Sequence, residues 1–177
     1  MFASDLHGSA YYCEKLKEIF ENEKAEKLVL LGDILYHGPR NPLPKDYSPK
    51  KAYEILNSLK DKIICVRGNC DSEVDQMVLE FPIMADYTTI NVDNLNIFVT
   101  HGHIYNKENI PPISDSDILV HGHTHIHTIE KMDIGTYINS GSISMPKENQ
   151  ENSYMIYENR KFTIKNLEGK ELKSKQF

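Results

Sequence analysis

The chain has 177 residues, with 20 Lys and Arg against 26 Asp and Glu and a formal net charge of −6, a length that suits a single domain over 1–177 burying roughly 70% of its unfolded surface. The acidic balance excludes a sequence-independent grip on nucleic-acid phosphates, which needs a basic stripe. Three cysteines without a CxxC pair, Cys13, Cys65 and Cys70, argue against a disulfide framework and for a reducing compartment, the cytoplasm; no leader pattern and no apolar run of about 18 residues point to export or to a membrane.

The first half alternates short apolar runs with helical patterns. Met1–Ser4 reads as a strand remnant, and its brevity leads to the expectation of a natural start a few residues upstream. A helix follows from about Ser9, an N-cap, with Leu16, Ile19 and Phe20 on one face. Lys27–Leu31 is a buried-type strand ending at Gly32-Asp33. The loop from Ile34 to Ser48 carries three prolines and is irregular; Ser48-Pro49 then starts a helix running to about Leu59. Ile63–Val66 is a third strand, ending in Arg67-Gly68-Asn69, and a short helix follows Ser72.

After Pro82 the pattern becomes mainly β: about Tyr87–Val92, Asn96–Thr100, Ile118–His121, His127–Lys131, Tyr137–Asn139, Tyr154–Glu158 and Lys161–Asn166, with hairpin turns at Asp93-Asn94 and Asn159-Arg160. The tail GKELKSKQF is expected to fray. A βαβαβ half followed by a β half implies α/β layers built on two sheets rather than one open sheet.

The polar residues that stand out in the first half all follow strands: Asp5 and His7, Asp33, then Asn69 and Asp71. Ligands bind at the carboxyl ends of strands in α/β sheets, so these residues should share one edge. Four of the eight histidines fall at every second position of HGHTHIH, residues 121–127. An extended backbone would turn neighbouring pairs to one face, a metal-binding pattern, although spacing alone leaves open which of His121, His123, His125 and His127 bind. Together with Thr-His-Gly-His at 100–103, these segments supply mixed oxygen and imidazole donors in numbers suited to two divalent ions. Mn, Fe, Zn or Co fit that donor set better than calcium, and the absence of clustered thiolates argues against a structural zinc site. Two ions about 3.5–4 Å apart, bridged by a carboxylate, clamp an in-line displacement at phosphorus and lower the pKa of a bound water. The composition of the site therefore points to phosphate-ester hydrolysis.

The ordered set Asp5-x-His7, Gly32-Asp33, Gly68-Asn69-x-Asp71, His101 and Gly122-His123-x-His125 resembles the calcineurin-like metallophosphoesterases. The stretches HGPRN (37–41), RGNCDSEVDQM (67–77) and THGH (100–103) resemble the YfcE-type bacterial phosphodiesterases of that family. The resemblance implies the four-layer α-β-β-α sandwich of two mixed sheets flanked by helices, the metallo-dependent phosphatase fold. It implies Asp5, His7, Asp33 and His125 at one metal, with Asn69, His101 and His123 joining a bridging Asp33 at the other. His121 and His127 fall outside the motif. Mn is the metal the resemblance favours, with Zn, Fe, Co or Ni as the others.

Where the wider family has a histidine after Gly-Asn, this chain has Cys70. A free thiol with a pKa of about 8.5 can donate a proton, whereas a thiolate beside two cations cannot, and a merely packed side chain is the competing role. His103 is the replacement acid or a partner of the ligands, and Asp71 is expected to orient Asn69 or a ligating histidine. Arg40 and Asn41, in the proline-stiffened loop, are the candidate substrate contacts, Arg40 through a bidentate phosphate pair. The reading is a dinuclear metal-dependent phosphohydrolase, a phosphodiesterase whose metal-held hydroxide attacks phosphorus in line, acting on a small phosphate ester. Its rivals are a phosphomonoesterase or nucleotide phosphatase on the same site, and a non-catalytic scaffold like the retromer subunit that shares the fold. Self-association to a homo-oligomer is a further expectation drawn from the family.

Overall fold

The computed structural model describes residues 1–177. Its elements in order are β1 (Phe2–Ala3), α1 (Ala10–Asn22), β2 (Leu28–Leu30), α2 (Pro49–Asn57), a 3-10 turn (Lys60–Lys62), β3 (Ile63–Cys65), α3 (Glu73–Gln76), β4 (Tyr87–Val92), β5 (Leu95–Thr100), β6 (Ile118–His121), β7 (Thr128–Lys131), β8 (Thr136–Asn139), β9 (Ser153–Glu158), β10 (Lys161–Asn166) and β11 (Glu171–Gln176). Two mixed sheets result, with strand orders β11-β10-β9-β1-β2-β3 and β4-β5-β6-β8-β7.

Strand alternation explains the layering. In β2 and the residue that follows it, Leu28 and Leu30 face the helices while Val29 and Leu31 face the other sheet, because successive side chains on a strand point to opposite faces. One core therefore lies under α1 and α2, where Cys13, Leu16, Phe20 and Leu56 meet Ala3, Leu30 and Cys65. A second fills the space between the sheets, with Phe2, Val29, Leu31 and Val66 against Ile97, Val99, Val120 and Ile138. Helix α1 begins where expected: Ser9 accepts the Tyr12 N–H at 3.2 Å, a side-chain N-cap that satisfies one of the orphan donors of the first turn.

Two details differ from the sequence reading. The outer face of the second sheet carries no helix; Phe98, Leu119 and Tyr137 are covered instead by Tyr105 and Ile113 of the loop after β5, together with Met132. The tail does not fray: Glu171–Gln176 pairs antiparallel with β10 as β11, and Leu172 and Phe177 pack on the inter-sheet core. Its charged residues sit on the exposed face of an edge strand, where charge guards against further pairing, and that charge hides the strand from a hydrophobicity pattern. The hairpins at Asp93-Asn94 and Asn159-Arg160 are as expected, with positive φ at both central residues of each, the backbone of a type I′ turn. No helix is long and apolar enough to cross a membrane.

Candidate metal centre

The carboxyl ends of β1, β2 and β3 and the loops after β5 and β6 deliver seven polar side chains to one place. His7 Nε2 lies 3.3 Å from His125 Nε2, and Asp5 Oδ1 lies 3.7 Å and 3.3 Å from these two atoms. Asp33 Oδ2 stands between this group and the next, 3.7 Å from His7 Nε2 and 3.5 Å from His101 Nε2. His101 Nε2 in turn lies 3.0 Å from Asn69 Oδ1 and 3.2 Å from His123 Nδ1. A single oxygen of Asp33 thus faces both groups, and Asp5 lies close by, its ligand atom within 4.8 Å of those of Asp33 and His101.

The tautomers decide what such an arrangement can hold. His7, His101 and His125 each place Nδ1 against a backbone carbonyl, Tyr36 O at 2.8 Å, Leu31 O at 2.6 Å and Met145 O at 2.6 Å. Each therefore donates Nδ1–H outward and turns Nε2 inward, where it offers a lone pair once the ring is neutral. His7 Nε2 and His125 Nε2, 3.3 Å apart beside carboxylates, are held together by a shared proton or by a cation among them. The buried Asp5 Oδ1 has no hydrogen-bond partner in the protein, which a buried carboxylate oxygen does not tolerate without a counter-charge. The donor set, carboxylate, amide oxygen and imidazole, fits two divalent transition-metal ions.

Backbone strain is concentrated here. Asp5, His7, Asp33, His123 and His125 all have positive φ, between 50° and 66°, a conformation costly for residues with a Cβ and retained where function over-determines it. Two glycines make the close approach possible. A Cβ on Gly68 would stand 2.1 Å from Asp33 Oδ1, and one on Gly122 would stand 1.8 Å from Ser4 Oγ. The same strain explains why period-two reasoning overcounts the histidines: the chain leaves β6 after His121, so the alternation of a strand does not extend through 123–127. His121 is buried against Tyr137, ring centroids 4.6 Å apart, and His127 takes a bond from neither ligand group, its N–H donating to Gln150 Oε1 at 2.6 Å.

Burial pushes the carboxyl of Asp5 up, but the His125 contact and the surrounding imidazoles more than offset it and hold Asp5 well below the usual carboxylate range. Asp33 is likewise held low, by His101 and by the Cys70 N–H against the opposing effect of burial. Burial draws His101 down, yet Asp33 and Asp5 win and raise it to about 9. His123, half-buried and beside His101, is lowered to about 4. In the absence of cations the centre thus keeps protons on the imidazoles nearest its carboxylates, where positive charge is stabilised.

Asp71 does not orient Asn69 or a histidine side chain. It is a buried carboxylate that accepts the backbone N–H of Ile34 at 2.8 Å, of Asp33 at 2.9 Å and of Gly68 at 2.7 Å, and so pins the turn that presents Asp33. Burial raises it to about 6. Cys70 lines a small cavity of about 70 Å³ with Arg40, Asn41, Asn69, Asp33, His123 and His125. Burial, with Asp33 beside it, pushes the Cys70 thiol up, which favours the protonated form. Arg40 and Asn41 line this cavity beside the metal-ligand side chains, with Asn41 held by a 2.9 Å bond from Nδ2 to His37 O. His103 stands 5.4 Å from His101 between ring centroids, and burial, then the proximity of His101, lowers its pKa. Sequence reasoning missed Ser142 and Ser144, whose hydroxyls donate to Asp5 O at 3.0 Å and 2.6 Å, and the carbonyls that fix the imidazoles. The run GSIS at 141–144 offered only the ordinary signature of a loop.

Fold and site together define a metallophosphoesterase: two mixed sheets whose strand ends present a double cluster of carboxylate and imidazole donors. The chain belongs to the calcineurin-like phosphoesterase superfamily, whose domain description matches residues 1–161. It is 47% identical over 159 residues to phosphodiesterase YfcE of Escherichia coli strain K12, covering 90% of this chain and 86% of that one. The solved structure of YfcE, described as a phosphoesterase from E. coli, superposes with a TM-score of 0.96 over 99% of this chain and 97% of that chain, at 43% identity. Vps29 of Entamoeba histolytica, solved with zinc, superposes at a TM-score of 0.56 and 19% identity over 92% of this chain and 88% of its own, a likeness of fold alone.

Proposed function

We propose that this chain is a dinuclear metal-dependent phosphodiesterase of the YfcE type, cytoplasmic and acting on small phosphate diesters, with Mn as its metal. The observation that carries the reading is the set of seven donors turned inward around Asp33, two carboxylates, one amide oxygen and four imidazole nitrogens, a set that suits two cations. Asp5, His7, Asp33 and His125 would hold one ion, and Asp33, Asn69, His101 and His123 the other. Two such ions supply a water of lowered pKa and neutralise charge on the non-bridging oxygens.

The protein's own groups do the rest. The carbonyls of Tyr36, Leu31 and Met145 lock three imidazoles in the ligating tautomer. Asp71 fixes the Asp33 backbone. Arg40 and Asn41 orient the phosphoryl group across the small cavity, and His103, outside both ligand groups, protonates the leaving alcohol. Cys70, with its pKa pushed up, is a poor acid for this step, and His103, with its pKa lowered by burial and by His101, is protonated less of the time than a free imidazole, so good leaving groups should react far better than alkoxides.

Completeness of the ligand set separates this reading from a non-catalytic scaffold, since no donor of the two groups is missing. Room beside the centre for a second ester favours diesters over monoesters. Hydrolysis of bis(p-nitrophenyl) phosphate beside p-nitrophenyl phosphate, by chelator-stripped protein with and without Mn²⁺, tests the assignment. Metal-restored activity that favours the diester is the expected result; preference for the monoester would overturn it in favour of a phosphatase, and inactivity with metal bound would favour the scaffold.

A further inference from the structure

Of the four imidazoles at the centre, His123 is the one whose ring no carbonyl anchors; its Nδ1 faces His101 Nε2 at 3.2 Å. It lines both the small cavity of about 70 Å³ and a second of about 200 Å³ beside the end of β6, so packing does not lock the ring. What aims it is therefore the backbone. His123 sits at φ 66° in a turn that also carries His125 at φ 62°, a conformation that persists only where the surroundings over-determine it.

Those surroundings converge on one peptide plane, that between Gly122 and His123. Its N–H donates to Asp5 Oδ2 at 3.1 Å. Its carbonyl oxygen, Gly122 O, accepts from Thr124 N at 2.7 Å and from Asn139 Nδ2 at 2.7 Å, and His121 Nδ1 lies 2.9 Å away. Thr124 and His121 belong to the same segment and move with it. Asn139 comes from another strand, at the end of β8, and its side chain reaches further. Nδ2 also lies 3.0 Å from Thr124 Oγ1 and 2.9 Å from Tyr137 Oη, and Oδ1 accepts the Gly141 N–H at 2.8 Å. Gly141 opens the turn whose Ser142 and Ser144 hydroxyls hold Asp5 O. One amide thus joins the turn that presents His123 to the turn that steadies Asp5.

Nothing in the sheet requires an amide at this place. Asn139 stands opposite His121 and Thr128 in the ladder and is fully buried, and asparagine is depleted in strands. An amide is, however, the neutral group that offers two protons and an acceptor at fixed spacing; a carboxylate would set a negative oxygen against Gly122 O, and a serine supplies a single proton. We propose that Asn139 is a positioning residue for the second metal ion: its amide fixes the Gly122–His123 peptide and so the approach of His123 Nδ1 to the ion shared with Asp33, Asn69 and His101. The inference rests on the dinuclear reading and adds to it a residue outside the ligand motif.

The test is the stepwise Mn²⁺ affinity of the chelator-stripped protein, read by competition with a chelating dye, in Asn139→Ala, His123→Ala and the double variant. Asn139→Ala should weaken about tenfold the ion that His123→Ala weakens, the low end of the range for partners that orient ligands, and should change the other ion less than about twofold. Because the amide acts through His123, the double variant should bind that ion no more weakly than His123→Ala alone, whereas independent effects would multiply to about 100-fold. A purely structural asparagine would lower stability in urea denaturation and leave the ratio of the two affinities where it was. An unchanged affinity, an equal loss at both ions or multiplied losses in the double variant each overturn the proposal. Should Asn139→Ala not fold, Thr124→Val, at an exposed position and close in shape, removes one oxygen that Asn139 Nδ2 reaches. It should weaken the same ion about threefold, the worth of one net hydrogen bond, and no loss there overturns the proposal equally. Binding of a single ion by the wild-type protein would instead remove the dinuclear reading itself.

Discussion

Three imidazoles of the centre are anchored and one is not. His7, His101 and His125 each donate Nδ1–H to a backbone carbonyl, at 2.8, 2.6 and 2.6 Å, and present Nε2. His123 presents Nδ1 itself, 3.2 Å from His101 Nε2, and is tied to the site by its backbone N–H, which donates to Asp5 Oδ2 at 3.1 Å. An anchored ring loses little rotamer freedom when it binds a cation, whereas an unanchored ring must be ordered by the cation itself. The difference teaches that the two halves of the centre are not equivalent: the Asp5, His7, His125 side is preorganised, and the side completed by His123 is the adjustable one, facing both cavities.

The largest effect should come from removing what the two sides share. Asp33→Asn is expected to lose at least about 1,000-fold in diesterase activity together with one or both metal ions, while circular dichroism shows a folded protein; this magnitude corresponds to roughly 4 kcal/mol of transition-state stabilisation. Full activity in that variant would sink the bridging role. Next, His125→Ala should weaken metal affinity about 100-fold and His123→Ala about tenfold, the range found for groups that bind or support a metal, as read by competition with a chelating dye. Equal losses would abolish the distinction between anchored and unanchored ligands. Asp71→Ala leaves three buried N–H groups without an acceptor and should cost roughly 2–4 kcal/mol in urea denaturation; a loss below about 1 kcal/mol would mean that the turn holds Asp33 without it. The smallest effect belongs to Arg40→Ala, on the exposed side of the small cavity, where KM should rise several-fold with kcat nearly unchanged, and a fall in kcat alone would move Arg40 from binding to catalysis.

Much of this centre was legible in the sequence because its donors follow strands, and a strand followed by Asp or Asn-x-Asp carries its position with it. The turns at Asp93-Asn94 and Asn159-Arg160 were equally plain, since few residue pairs accept positive φ twice. What was hidden has physical reasons. Carbonyl anchors such as Leu31 O and Met145 O bear no residue identity, so nothing in the chain marks them. Asp71 lies in the motif, but its three backbone partners are set by the turn rather than by side chains that a pattern could reveal. The spacing of His121, His123, His125 and His127 suggested one ligand face, and the positive φ of His123 and His125 breaks that periodicity. The strand Glu171–Gln176 reads as a solvated tail because its apolar contacts come only from Leu172 and Phe177.

Calorimetric titration of the chelator-stripped protein with Mn²⁺ at pH 7, in buffers of different ionisation enthalpy, tests the central claim most directly. His101, raised to about 9 by its carboxylate neighbours, is protonated at that pH in the metal-free protein and must surrender its Nε2 proton to a cation. The account predicts two ions per chain with net proton release, the release vanishing as the pH approaches 10. One ion per chain, or two bound without proton release at pH 7, would contradict it.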